Sequence, residues 1–114
     1  MPEIRIVIPT FDGRLSKNDR LARGRYGDSS IKRLKDSFAL LIRAYGNELI
    51  GCKKLDVELI VYRPSEKWDA HNFLDEFCDI IQMALGINDR NFTPKVTPEL
   101  DPMNPHFELI LKGE

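Results

Sequence analysis

Several features that identify common protein classes are absent from this sequence of 114 residues. It has only two cysteines, Cys52 and Cys78, which stand 26 positions apart without a CxxC motif, so neither a disulfide framework nor a zinc site is indicated. It also lacks a GxxxxGK[ST] phosphate loop, a GxSxG motif and a dinucleotide-binding glycine pattern. These absences argue against P-loop hydrolysis and triad chemistry, and the two cysteines are expected to be reduced, structural thiols.

Long hydrophobic runs are missing as well. The longest apolar run, Phe38 to Ile42, is far too short to cross a bilayer, and the first residues, MPEIRIVIP, lack the basic start and long apolar core of a signal peptide. Hydrophobic residues make up 42% of the chain and charged residues 31%, which is ordinary for a globular protein. We therefore expect one domain over residues 1–114 that is soluble, cytoplasmic and not associated with a membrane.

The charge is nearly balanced in total, with a net value of -1, but it is unevenly distributed. Residues 1–57 hold 12 Lys and Arg against 7 Asp and Glu, whereas residues 58–114 hold 5 against 11. Such a division predicts one surface for a polyanion and another region that gathers carboxylates. The alternative is two solvated faces that attract each other.

Hydrophobic periodicity predicts the elements of the fold. Residues 3–8 alternate and then become continuously apolar, which is typical of a strand, while residues 10–28 have no period and predict a long loop. Apolar residues at 31, 34, 38, 41, 42 and 45 predict a helix with Ser29 or Ser30 as its N-cap and Gly46-Asn47 as its stop.

The second half of the chain repeats the alternation of strand and helix. The pattern predicts a strand over residues 55–62, a helix over residues 73–85 that Gly86 closes, an irregular proline-rich segment over residues 93–105 and a last strand over residues 107–111. The fold class is therefore predicted as α/β: a small single domain with a mixed sheet of about three to four strands and two helices, in the order β-loop-α-β-α-β.

The basic residues of the long loop are the strongest functional signal. A basic loop without apolar period has little structural purpose, so we predict that it binds nucleic acid together with the start of the first helix, although simple solvation also explains such a run. The predicted DNA-binding residues are Arg14, Lys17, Arg20, Arg23, Arg25, Lys32 and Arg33.

A second signal flanks the second predicted helix, where Asp69 precedes it and Asp89 follows it. Paired carboxylates can hold Mg²⁺, which activates water and stabilises charge on a phosphate, and His71 can add a nitrogen ligand or accept a proton from water. The alternative is that Asp69 or Asn72 caps the helix and that Asn88-Asp89 is an ordinary turn.

Two further residue sets are open to both structural and functional interpretations. His71, Asp75 and Asp79 are spaced by four, so they predict one helical face that either holds a metal ion or is simply solvated. Trp68 either stacks on a base or belongs to the core.

The spacing of these residues resembles that of the RusA family of Holliday junction resolvases. Asp69-Ala70-His71-Asn72-Phe73-Leu74 is followed by Asp79 seven residues after Asn72, and Asn88-Asp89 ends ten residues after Asp79. The family motif reads Asp-x-Asp-Asn-Leu, then a lysine, then Asp-Ala-Leu, then Asp-Asp at similar distances. A first strand that ends in Ile-Pro, a polar loop with Ser16-Lys17-Asn18 and a basic helix extend the likeness over nearly the whole chain.

The resemblance implies a metal-dependent homodimer that nicks a four-way DNA junction, with Asp69, His71 and Asp89 as catalytic residues and as ligands of Mg²⁺ or Mn²⁺. The sequence departs from the family where His71 replaces an aspartate, Asn88 replaces another, and Asp75 stands in place of the lysine. Histidine shifts the metal preference towards softer ions such as Mn²⁺, and Asp75 or Glu76 is a candidate to replace the lost carboxylate.

Three readings of function follow from these signals: a junction-cutting nuclease, a module that binds branched DNA without cutting it, and a structural or interaction protein. The first two predict DNA affinity that falls steeply with salt, and the third predicts none.

Overall fold

The computed structural model of the chain describes residues 2–16 and 29–114. Over these residues it contains four strands and two helices, which confirms the predicted α/β class with a mixed sheet. The strands are β1 (Glu3–Ile8), β2 (Leu55–Arg63), β3 (Phe92–Leu100) and β4 (His106–Gly113), and the helices are α1 (Ser29–Gly46) and α2 (Leu74–Leu85). Short 3₁₀ turns at Gly13–Leu15, Asn47–Leu49, Ala70–Phe73 and Asp89–Asn91 join them.

The four strands lie in the order β1-β4-β2-β3. β4 pairs antiparallel with both of its neighbours, and β2 pairs parallel with β3, to which α2 connects it. The register aligns Ile6, Leu109, Leu59 and Val96 in one row across the sheet. Because side chains alternate between the two faces of a strand, this row and its neighbours two residues away point to the same face.

The predicted irregular segment over residues 93–105 is wrong in its first part, because Phe92–Leu100 forms the edge strand β3. Pro94 and Pro98 cannot donate to a ladder, and for that reason the sequence argues against a strand here. The two prolines are four residues apart, so their backbone nitrogens face the same side, and an edge strand can turn that side away from β2. Residues 101–105 lie outside regular secondary structure, as the predicted irregular segment requires.

The hydrophobic core lies between one face of the sheet and the two helices. Strand β2 alternates as the sequence predicts, with Leu55, Val57, Leu59 and Val61 all buried. Phe77 of α2 belongs to the same buried cluster and lies 4.8 Å from Phe107 of β4 and 6.2 Å from Phe38 of α1, measured between ring centroids. Each such buried side chain contributes about 1.5–3 kcal/mol, so this layer fixes where α2 stands on the sheet.

The other face of the sheet carries polar side chains. Glu108 is nearly buried and accepts a hydrogen bond from the Arg5 guanidinium at 2.7 Å and one from the Tyr62 hydroxyl at 3.4 Å. Tyr62 also stacks on His106, with the ring centroids 4.1 Å apart. Burial and the neighbouring Glu108 carboxylate raise the pKa of Tyr62 above its ordinary value of 10.0.

The ends of the helices follow the sequence signals closely. α1 begins at Ser29, and the caps predicted at Ser29 and Ser30 rest on side chains outside those that the structure describes. Gly46 ends α1 and Gly86 ends α2, the latter in the left-handed conformation (φ 71°) that glycine adopts without a Cβ penalty. Neither helix of the described chain has the length and apolar character that a membrane span requires.

Candidate functional site

Asp69 and His71 lie together on the 3₁₀ turn that leads into α2. The Asp69 carboxylate accepts a hydrogen bond from the His71 backbone N–H at 3.0 Å and so caps the turn. The same oxygen lies 3.5 Å from Nδ1 of the His71 ring, and the two side chains are 62% and 71% exposed. Asp69 therefore caps the 3₁₀ turn and not α2 itself, which follows Phe73 without a side-chain cap, and the cap also places an imidazole beside the carboxylate.

Trp68 anchors this turn to the N-terminal segment. Its ring lies 5.3 Å from that of Phe11 in an edge-to-face contact and covers Gly13 so closely that a Cβ added there would lie 2.4 Å from the ring. The Trp68 carbonyl accepts a hydrogen bond from the Arg63 guanidinium at 2.9 Å. Of the two interpretations of Trp68, the structure supports packing against the core, and this packing brings the Asp69 turn close to the start of the basic segment.

Asp89 lies beyond the other end of α2. It opens a 3₁₀ turn that Asn88 caps by accepting a hydrogen bond from the Arg90 N–H at 3.0 Å, so the predicted turn at Asn88-Asp89 is confirmed. The Asp89 N–H donates to the Gln82 side chain at 2.9 Å, which ties the turn back to the helix.

The negative charge on this flank of α2 acts on the half-buried Cys78 thiol. Burial raises the pKa of Cys78 to about 11, and the carboxylates of Asp75 and Asp89 add to the shift. Both carboxylates therefore act on one point of the helix surface. The thiol stays protonated at neutral pH and is a poor nucleophile or metal ligand there.

The acidic side of α2 is held by a lysine from α1. Lys35 Nζ lies 2.5 Å from an Asp79 oxygen and 3.0 Å from Glu76 Oε2. The predicted helical face of His71, Asp75 and Asp79 is wrong in two respects: His71 stands on the 3₁₀ turn before the helix, and Asp79 pairs with a cation. Glu76 faces the same lysine, so its carboxylate is already engaged between the helices.

The predicted metal ligands are only partly brought together. Within residues 2–16 and 29–114, no three His, Cys, Asp or Glu side chains lie close enough to hold a metal ion. Asp69 and His71 are adjacent, whereas Asp89 does not join them in such a group. The described residues of one chain therefore bring together two of the three predicted ligands of Mg²⁺ or Mn²⁺, and what they offer directly is a carboxylate–imidazole pair.

The basic residues that the structure describes differ in their availability. The Arg14 guanidinium forms a bidentate ion pair with Asp12. Its Nε lies 3.0 Å from one carboxylate oxygen and a terminal nitrogen lies 2.7 Å from the other. Lys32 and Arg33 are exposed near the start of α1. The remaining predicted DNA contacts lie outside the described residues: Lys17, Arg20, Arg23 and Arg25.

Comparison with known proteins adds no family assignment: neither the protein-family models nor the curated proteins match the chain. Three residues that shape the site were not singled out from the sequence, namely Arg63, Gln82 and Lys35. Lys35 carried a usable signal, since it lies one position from Leu34 and three from Phe38 on the inward side of the predicted helix. Arg63 and Gln82 act through contacts that the sequence does not indicate.

Proposed function

We propose that the chain is a RusA-like, metal-dependent endodeoxyribonuclease that cuts four-way DNA junctions in recombination and repair, as a cytoplasmic homodimer. The observation that supports this most directly is the exposed pair of Asp69 and His71 on a turn that Trp68 fixes beside the start of the basic segment. A reactive pair and a phosphate-binding surface are the two parts that phosphodiester hydrolysis needs side by side.

The Asp69–His71 pair defines what the chain's own groups can do. A carboxylate beside Nδ1 orients the imidazole and favours the tautomer that carries its proton on that nitrogen. Nε2 is then free to accept a proton from water as the water oxygen bonds to phosphorus, while the phosphodiester P–O bond breaks and the departing sugar oxygen takes a proton from solvent. A bound divalent ion would supply charge stabilisation on the phosphate, although the described residues do not gather three ligands for it.

A second candidate function keeps the DNA surface without the cleavage. It is favoured by the ligand set, in which His71 replaces one carboxylate and Asp75 replaces the lysine of the RusA pattern. In this version the protein holds branched DNA for another enzyme.

The deciding experiment is a cleavage and binding assay on a labelled four-way junction, with Mg²⁺, Mn²⁺ or chelator and with a linear duplex for comparison. Asp69→Asn is the informative variant, because asparagine can still cap the turn while it removes the charge. Glu66→Gln, an exposed neighbour on the same connection, is the matched control.

Paired nicks that require metal, vanish in Asp69→Asn and persist in Glu66→Gln are the expected result. Tight, junction-selective binding without nicks in either metal would replace the nuclease with the binding module. Neither binding nor cleavage would remove both functions.

The surface on α1 can be tested separately through the salt dependence of binding. Lys32→Gln/Arg33→Gln should lower the slope of log K against log salt by about one for each phosphate that the protein no longer neutralises. The matched control is Lys53→Gln/Lys54→Gln, which removes two exposed charges on the connection before β2. An equal change of slope in both double variants would show that only total charge matters.

A further inference from the structure

The outer side of the helix pair carries an apolar groove that the domain itself leaves open. Leu40 of α1 is 70% exposed and Met83 of α2 is 48% exposed, and Ala39 and Ala84 line the groove between them. Exposed large apolar side chains that cluster around a groove usually indicate a contact with another molecule. Lys35 of α1 forms ion pairs with α2 on the adjoining surface. These ion pairs join the two helices within one chain, so the groove between them exists without a second molecule.

Two opposite charges border the groove, Asp36 and Arg43, both exposed and both among its lining residues. Within the part of the chain that the structure describes, neither has an ion-pair partner. The groove therefore offers one unpaired acidic group and one unpaired basic group on either side of an apolar centre.

The spacing of these residues makes the surface complementary to itself. Asp36, Ala39, Leu40 and Arg43 follow the i, i+3, i+4, i+7 pattern of one helical face, with its midpoint between Ala39 and Leu40. A second α1 laid antiparallel across a two-fold axis at that midpoint sets each Asp36 opposite the other copy's Arg43. The same axis sets each Leu40 opposite an alanine, which leaves room for the larger side chain.

We infer that this groove is the docking surface for a second copy of the chain, with α1 packed antiparallel against α1. An isologous two-fold interface requires each patch to match itself, and the mirrored order of acidic, small, large and basic side chains meets that requirement. The biological meaning of this dimer rests on the proposed function, which calls for a homodimer without naming its surface. The interface itself depends only on the exposed residues of the two helices.

The test is a charge-reversal series followed by analytical ultracentrifugation of the purified full chain. Arg43→Asp sets two acidic groups opposite each other at both ends of the contact, and Asp36→Arg does the same with two basic groups. Each single variant should raise the dimer dissociation constant by about tenfold or more, the combined effect of two lost pairs and two repulsions. The double variant Asp36→Arg/Arg43→Asp restores both pairs in reverse and should recover wild-type dimerisation.

Two further variants keep the result interpretable. Leu40→Lys should also raise the dimer dissociation constant, and its fold should survive because Leu40 is 70% exposed, which circular dichroism verifies. Lys54→Asp, an exposed charge reversal away from the helices, should leave the dimer intact.

A wild-type chain that is monomeric at high concentration would overturn the inference, and so would a dimer that both single reversals, Arg43→Asp and Asp36→Arg, leave unchanged. Junction cleavage is measured in parallel, so a dimer without nuclease activity would contradict the proposed function alone. A nuclease whose dimer ignores the reversals would contradict the interface alone.

Discussion

The contact between Gly13 and Trp68 allows a sharp test of how the candidate site is supported. In Gly13→Ala the new Cβ would lie 2.4 Å from Cη2 of Trp68 and 3.0 Å from Cζ3, where carbon atoms in contact normally lie about 3.5–4.0 Å apart. The ring must therefore move by roughly 1 Å or the 3₁₀ turn at Gly13–Leu15 must yield. Phe11 and Phe73 pack around the ring, so it has little freedom to shift.

Overpacking of this kind costs about 1–3 kcal/mol. For a domain of this size that corresponds to a fall in Tm of roughly 4–12 °C. Backbone strain contributes nothing to the loss of stability in Gly13→Ala, because among the described glycines only Gly51 and Gly86 have positive φ. A shift of Trp68 also moves its backbone carbonyl, to which Arg63 donates, and the neighbouring Asp69, so under the proposed function junction cleavage should fall along with stability.

The assay is urea and thermal unfolding followed by far-ultraviolet circular dichroism. Gly46→Ala is the matched control: its Cβ would lie 3.6 Å from the nearest atom, an ordinary contact, and it should be neutral or stabilise by up to about 1 kcal/mol. In a Trp68→Phe background the smaller ring leaves room, and the cost of Gly13→Ala should shrink. A Gly13→Ala protein as stable as the wild type, or an unchanged cost in the phenylalanine background, would refute this reasoning.

Three further predictions concern charged and titratable groups. Lys35→Met should lower the free energy of unfolding by about 1–2 kcal/mol, because it removes the cation shared by two carboxylates of α2. The control Lys32→Met, at an exposed position of the same helix, should change the free energy of unfolding by less than about 0.5 kcal/mol. In a Cys52→Ser background, Cys78 should react with iodoacetamide at about pH 8 roughly a hundredfold more slowly than a thiol of pKa 9.0. If the rate rises to that of an ordinary thiol after unfolding in urea, the fold is the cause of the slow reaction. Because the pKa of Tyr62 is raised in the folded state, the unfolded chain loses the phenolic proton first, and the free energy of unfolding should fall as the pH rises above about 10. Tyr62→Phe should make this decline shallower. Equal slopes in the two proteins would contradict the assignment of the decline to Tyr62.

The sequence predicts the elements of this fold where periodicity and end signals agree. Strand β2 alternates clearly, Gly86 marks the end of α2, and both elements lie where the pattern puts them. Strand β3 was missed because Pro94 and Pro98 argue against a strand unless the strand is known to lie at an edge. Edge position is a property of the whole sheet, so no local pattern could reveal it.

The candidate site was predictable to the same limited extent. A capping aspartate fixes its neighbour two residues on, so the proximity of Asp69 and His71 follows from local structure. The position of Asp89 depends on the length of α2 and on its hydrogen bond to Gln82, which are tertiary facts. Composition also overstated the availability of Arg14 for DNA binding, because its charge is already matched by Asp12 two residues earlier.

The prolines of β3 also bear on edge-to-edge aggregation, the risk that an open sheet edge carries. With Pro94 and Pro98 on its outer side, β3 offers an incoming strand only the Val96 N–H between them, so that edge is a poor template for growth. The opposite edge, β1, has no proline between Glu3 and Ile8. If two chains meet through their β1 edges, both outer edges of the joined sheet are the proline-bearing ones, and a third chain finds only a poor pairing surface. Edge-to-edge association of this sheet is thus disfavoured beyond two chains, and a variant without the two prolines would lose that limit.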